Sequence, residues 1–180
     1  MEQIACIVIV GKPGAGKSTI GSLLAQRLEG SYLSLGSFMR EVLAIPDPHI
    51  GVDKTPVYEK LHQHLNDSGT ARMLVFDCHP YPESDLLALK AFFDKPQIDL
   101  AAVIEVFADD HIALERLENR PRPGQGNADR LKYFNDYQHL INRLLELGPA
   151  MRVQNSINDE KALERIVHDI VSRLRTDDAS

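Results

Sequence analysis

At 180 residues, with 43% apolar and 26% charged residues, the chain has the size and make-up of one globular domain with a real core. A formal net charge of −6 argues against nonspecific nucleic-acid binding while leaving room for a local basic pocket. No apolar run approaches membrane-spanning length, and Gly11 and Lys12 cut the first one too early for a signal peptide, so a soluble, cytoplasmic protein is expected.

The first element, IACIVIV (4–10), is an uninterrupted apolar run and reads as a buried parallel strand. It carries Cys6; this cysteine and Cys78 adjoin apolar runs without forming a CxxC pair, which reads as two buried small hydrophobes. The run leads into GKPGAGKST (11–19), which satisfies G-x-x-x-x-G-K-[ST]. Gly11, Gly14 and Gly16 let the backbone wrap so that successive N–H groups face inward as an anion nest. A helix over 17–29 adds its positive N-terminal end. Lys17 is placed to reach the β- and γ-phosphates of a nucleoside triphosphate and Ser18 to ligate Mg²⁺, so the whole loop, with Pro13, Ala15 and Thr19, is expected to bind ATP.

A short strand SYLSL (31–35) follows, then helical patterns at 37–43 and 56–67, separated by the Pro/Asp/Gly segment AIPDPHIGVDKTP. RMLVFD (72–77) is a second buried strand and ends on Asp77. An acid at the end of a central strand facing the phosphate loop typically holds Mg²⁺ through its water shell. A helix at 83–94, a strand LAAVIEVF (100–107) and a helix at 110–119 come next. NRPRPGQGN (119–127) has the composition of a mobile flap, and a helix at 129–147, a strand AMRVQN (150–155) and a helix at 159–174 complete the chain. Alternating strands and helices predict a three-layer α/β fold of the P-loop NTPase kind, with a parallel five-stranded sheet and helices on both faces. Ligands in such sheets bind beyond the carboxyl ends of the strands, which directs attention to the residues after Val10, Leu35, Phe76 and Phe107.

Several blocks, in this order, resemble the adenylate kinases and their nucleoside monophosphate kinase relatives. YLSLGSFMRE (32–41) is similar to their Leu-Ser-Thr-Gly-Asp-Leu-Leu-Arg segment, which implies acceptor contacts at Leu35 and Gly36 and a phosphate-gripping role for Arg40. VIEVFADDHIALERLENR (103–120) is similar, without a gap, to the strand-to-lid segment, which implies an acidic helix cap at Asp110, an arginine over the ATP base at Arg116 and a phosphate clamp at Arg120. DRLKYF (129–134) carries Arg130 in the position of an arginine on the helix leaving the lid, and MRVQNS (151–156) resembles the last strand and the loop that meets the base. The resemblance covers roughly residues 4 to 174 and implies one kinase domain over 1–180, with an acceptor-binding insertion at about 36–70 and a lid at about 119–129. Arginines arriving from a closing lid would stabilise the charge spread over a transferring phosphoryl group, and closure would exclude water.

The acceptor side departs from that pattern. Where the family has Asp-Gly-Phe-Pro-Arg this chain has Asp-Cys-His-Pro-Tyr, so Pro80 stays but the acceptor-gripping arginine is Tyr81. Asp85 stands where a glutamine reads adenine, and Leu35 replaces a threonine near the same base. A carboxylate only accepts hydrogen bonds, so Asp85 suits a base edge rich in N–H donors, such as guanine. Both flaps are short, only Asp129 remains of the lid's usual acidic pair, and the lid segment has no cysteines for zinc. Three readings stay open. The first is transfer of the γ-phosphoryl of Mg·ATP to a nucleoside monophosphate, by a monomer that needs no nucleic acid or membrane. The second is a small-molecule hydroxyl kinase of the shikimate or gluconate type, favoured by Ser18-Thr19 after Lys17 and by the small acceptor flap, with Asp77 or a neighbouring acid as base. The third is a nucleotide-binding regulatory module without turnover.

Overall fold

The computed structural model describes residues 3–45, 53–67, 72–78, 83–119, 138–156 and 159–177. In chain order it places β1 (Ile4–Val10), α1 (Lys17–Arg27), β2 (Ser31–Ser34), α2 (Leu35–Ser37), α3 (Thr55–Asp67), β3 (Met73–Asp77) and α4 (Glu83–Phe93). Then follow β4 (Ile98–Phe107), α5 (Asp110–Glu118), α6 (Gln138–Leu145), β5 (Ala150–Gln154) and α7 (Glu160–Asp177). The five strands form one parallel sheet in the order β2-β3-β1-β4-β5. This is the expected doubly wound α/β architecture.

The apolar run of β1 has no polar side because both of its faces are covered. Successive side chains of a strand point to opposite faces, and Cys6, Val8 and Val10 join one core cluster while Ile7 and Ile9 join the other. The first core is filled from α3, α4 and α6 by Leu61, Leu65, Leu89, Phe92, Leu140 and Leu144. The second is filled from α1 and α7 by Ile20, Leu24, Val167 and Ile170. Each such apolar side chain taken fully out of water contributes about 1.5–3 kcal/mol, so the two layers lock the strand ends in place. Cys6 and Cys78 are free and buried. Burial pushes both thiols well above their ordinary range, as expected of inert core cysteines.

Several boundaries differ from the expectation by one to three residues, and three of the differences have a local reason in the structure. Helix α1 stops at Arg27 rather than 29 because Glu29 adopts a left-handed conformation (φ 53°). The N–H of Gly30 then caps the carbonyl of Ala25 at 2.8 Å. Strand β4 begins at Ile98, two residues before the apolar run, since exposed Asp99 interrupts the pattern without interrupting the backbone pairing to β1. The helix expected at 37–43 starts at Leu35 and widens into a π-turn over Phe38–Val42, closed by a bond from Leu43 N–H to the Phe38 carbonyl of 3.2 Å. Of the helix expected at 129–147, Gln138–Leu145 is helical and 129–137 lies outside the described residues. Among the described residues no helix is long and apolar enough to cross a membrane.

Register brings the carboxyl ends together. Asp77 of β3 pairs with Ile9 of β1 and with Ser34 of β2, and Val10 pairs with Glu105 of β4. The phosphate loop leaves β1 at this edge.

Candidate functional site

The loop 11–16 turns through three positive φ values, 144° at Gly11, 78° at Gly14 and 91° at Gly16. Gly16 occupies the cap position of α1 in the left-handed region, and a Cβ there would lie 2.3 Å from Asn155 Nδ2. Both the angle and the space restrict the position to glycine. The backbone thus presents its amides beside the N-terminus of an 11-residue helix, a favourable place for phosphate. Lys17 Nζ folds back to donate to the Lys12 carbonyl at 3.3 Å.

Ser18, one residue into α1, donates from Oγ to Asp77 Oδ2 at 3.0 Å. Asp77 is 7% exposed. The structure therefore joins two residues that the sequence assigned separately to one metal. Both are hard oxygen donors at the mouth of an anion nest, which fits magnesium: that ion is usually held by one or two protein oxygens with water and substrate phosphates. Among the described residues no three His, Cys, Asp or Glu side chains gather as a metal cage.

Tyr32 of β2, which the sequence did not single out, donates to the same Asp77 Oδ2 at 3.0 Å. Burial, and next the adjacent Asp77 carboxylate, push its phenol well above the ordinary range, so it remains a neutral donor at working pH.

Arg116 lies across the outside of the loop. Its Nη1 donates to the carbonyls of Asn155 (2.9 Å), Gly14 (3.3 Å) and Ala15 (3.4 Å). Asn155, at the end of β5, donates from Nδ2 to the Ala15 carbonyl at 2.8 Å. These bonds draw the Gly14 and Ala15 carbonyls toward Arg116 and Asn155 and so brace the back of the loop. Asn155 was legible only as part of a strand end. Its Ala variant is expected to leave the Ala15 carbonyl short of a donor and to weaken nucleotide binding at the loop by roughly tenfold, within the range for a lost buried hydrogen-bond partner. Calorimetric titration of the folded variant checks this. Asp110, expected as the cap of α5, instead sits in its first turn and pairs with Lys12; the cap position is Asp109, whose carboxylate accepts from Ser156 Oγ at 3.0 Å.

The acceptor side needs two corrections. Leu35 is 3% exposed and packs in the core with Phe38 and Met39, because an apolar side chain at this strand end turns inward. Asp85 is 0% exposed and forms an ion pair with Lys54, which is 4% exposed. Its carboxylate faces this buried cation, so it is not presented to a base edge; Lys54 lay unnoticed in a linker. Arg40 stands on the π-turn, half-buried, with its guanidinium over Gly36: a Cβ there would lie 3.3 Å from Nη1. Pro80, Tyr81, Arg120, Arg122, Asp129 and Arg130 lie outside the described residues, as does the expected lid beyond Asn119.

Comparison with known proteins agrees with this fold. The adenylate kinase of Bartonella quintana (strain Toulouse) is 23% identical over 172 residues, covering 89% of this chain and 90% of that protein. The adenylate kinase of a Nitratiruptor species is 26% identical over an alignment of 183 positions, 92% of each chain. Among solved structures, deoxyadenosine kinase from M. mycoides, with the products dCMP and dCDP bound, is similar with a TM-score of 0.59. At 17% identity, over 95% of this chain and 99% of that one, the likeness is one of fold. The family model for the AAA domain matches residues 7–133, a span that runs from within β1 through the glycine-rich loop and α1 and includes the strand that ends on Asp77. By that match the chain belongs to the AAA-domain family of P-loop proteins.

Proposed function

We propose that this chain is a phosphotransferase of the nucleoside monophosphate kinase kind, moving the γ-phosphoryl of Mg·ATP to a nucleoside monophosphate. The observation that carries the reading is the Ser18–Asp77 couple set beside Lys17 at the mouth of the glycine-rich loop. The similarity to adenylate kinases along most of the chain supports the same class.

In this reading the N-terminus of α1 and the loop's N–H groups, other than at Pro13, which has none, and Ala15, whose N–H goes to the Lys12 carbonyl, bind and orient the phosphates. Lys17 exchanges the Lys12 carbonyl for the β- and γ-phosphates, and Ser18 with Asp77 would hold magnesium, Asp77 through water. When bound, that ion offsets charge on the phosphates. Arg116 braces the loop and lies beside the base. Arg40 grips the acceptor's phosphate. Arg120, from a short lid at about 119–129, and Arg130, on the segment leaving it, place further positive charge around the transferring group, and closure excludes water. Tyr81 contacts the acceptor where an arginine is usual. The chain works as one domain, in the cytoplasm.

The test is ADP formation from Mg·ATP in the presence of a panel of nucleoside monophosphates, with shikimate and gluconate as hydroxyl acceptors. A monophosphate is expected to stimulate turnover most. Because Asp85 is engaged by Lys54, GMP is not expected to outrun AMP on its account. Stimulation by a hydroxyl compound alone would overturn the acceptor class; nucleotide binding without stimulated turnover would overturn the enzyme.

A further inference from the structure

Helix α1 carries a glycine in its interior, Gly21, where alanine would favour the helix by about 1 kcal/mol. The backbone there is ordinary, so the reason must be space. A Cβ on Gly21 would lie 2.6 Å from Cε2 and 3.1 Å from Cδ2 of Tyr32, and 3.2 Å from Ile9 Cδ1. The phenol ring is therefore laid flush on the helix at the one position without a side chain. From that seat its hydroxyl reaches Asp77 Oδ2 at 3.0 Å, the oxygen that also accepts from Ser18 at 3.0 Å. Ser18 is three residues before Gly21 on the same helix, hence on the same face.

Resting on the reading of this site as a magnesium–nucleotide site, we propose that Tyr32 is a positioning residue for the metal: its hydroxyl fixes the Asp77 carboxylate in the orientation that meets Ser18, and Gly21 is retained to seat the ring. A carboxylate at a strand end is free to turn about its last torsion, whose preference is broad. One donor leaves it a hinge about a single bond. Two donors from different elements, α1 and β2, converge on the same oxygen and define the plane. The ring packs against the second core layer, and with Ile9 it closes on Gly21, so its own position is set independently of any ligand. Like Ser18, Tyr32 is a neutral donor and holds Asp77 without cancelling its charge. A lysine or arginine in its place would compete with a cation.

The effect should show as a loss of metal dependence rather than of nucleotide affinity. Binding of ADP is measured by titration calorimetry twice, with Mg²⁺ and with EDTA, for the wild type, Tyr32→Phe and Gly21→Ala. The wild type is expected to bind the magnesium form more tightly. Tyr32→Phe keeps the ring and loses only the hydroxyl; its magnesium-to-EDTA affinity ratio is expected to fall about tenfold, a loss typical of a hydrogen bond to a charged group. Its affinity in EDTA should stay within about twofold, since no phosphate-binding amide is touched. Gly21→Ala, checked for folding by its thermal transition, should show the same selective loss. A Phe variant that keeps the wild-type ratio would overturn the role of Tyr32 while leaving the site's reading intact. A wild type indifferent to magnesium would overturn both.

Discussion

Lys17→Ala is expected to lower the rate of stimulated ADP formation by about 10²–10³-fold or more, the scale of removing one fixed donor to charge developing in a transition state. The side chain is held at the loop by its contact with the Lys12 carbonyl, 3.3 Å away, so in this conformation its ammonium waits within the nest. Moving it from that carbonyl to a phosphate exchanges a neutral acceptor for a charged one, and the interaction strengthens as charge accumulates on the oxygens. An alanine removes the point charge without touching the two core layers, since Lys17 opens α1 at the edge of the sheet. The thermal transition should therefore move little. Initial rates with the best acceptor, together with a melting curve, separate the two effects. A variant that turns over within a few-fold of the wild type would remove the phosphate-binding role assigned to Lys17.

Where the chemistry is local in sequence, it could be read before folding. The phosphate loop is nine consecutive residues, 11–19, between a strand and a helix, and every part of its geometry follows from that spacing. The strands were legible because burial on both faces leaves an unbroken apolar run, as in β1. Asp77 could be placed because it ends such a run. The residues that hold the site from behind are of another kind. Tyr32 is 45 residues from Asp77, and Asn155 is 140 from Ala15. A tyrosine in a short strand and an asparagine after another are common enough to carry no signal alone; only parallel pairing of β2 with β3 and of β4 with β5 brings them to the loop. Arg116 was found through resemblance, but its bracing of the loop carbonyls was not, since that depends on the seating of α5.

The same contrast explains Asp85. Read locally, it is a first-turn acid favouring a helix dipole or a free acceptor of hydrogen bonds, and both readings supposed contact with solvent or substrate. Its actual partner, Lys54, is 31 residues earlier, in a segment rich in turn residues that reads as an exposed linker. Lysine and aspartate are almost never this deeply buried unless paired, so neither could be assigned to the interior from its own surroundings.

The pair ties together the N-terminal ends of α3 and α4. The Lys54 carbonyl accepts the N–H of Tyr58 at 3.0 Å, so it opens α3, while Asp85 is in the first turn of α4. Removing the cation alone leaves a carboxylate at 0% exposure without its lysine, and Lys54→Met is expected to destabilise the fold by about 3–5 kcal/mol. For a chain of this size that lowers the melting temperature by roughly 10 °C. Lys54→Met with Asp85→Leu removes both charges, fills the site with apolar volume and should recover most of the loss. Calorimetric melts of the three proteins measure this. Equal loss in the single and double variants would mean that packing, and not charge compensation, sets the cost. If the double variant regains stability, its kinetics isolate what the pair does for the acceptor: an unchanged acceptor KM assigns it to the fold alone, whereas a raised KM with kcat preserved shows that docking α3 on α4 also sets the shape of the acceptor crevice.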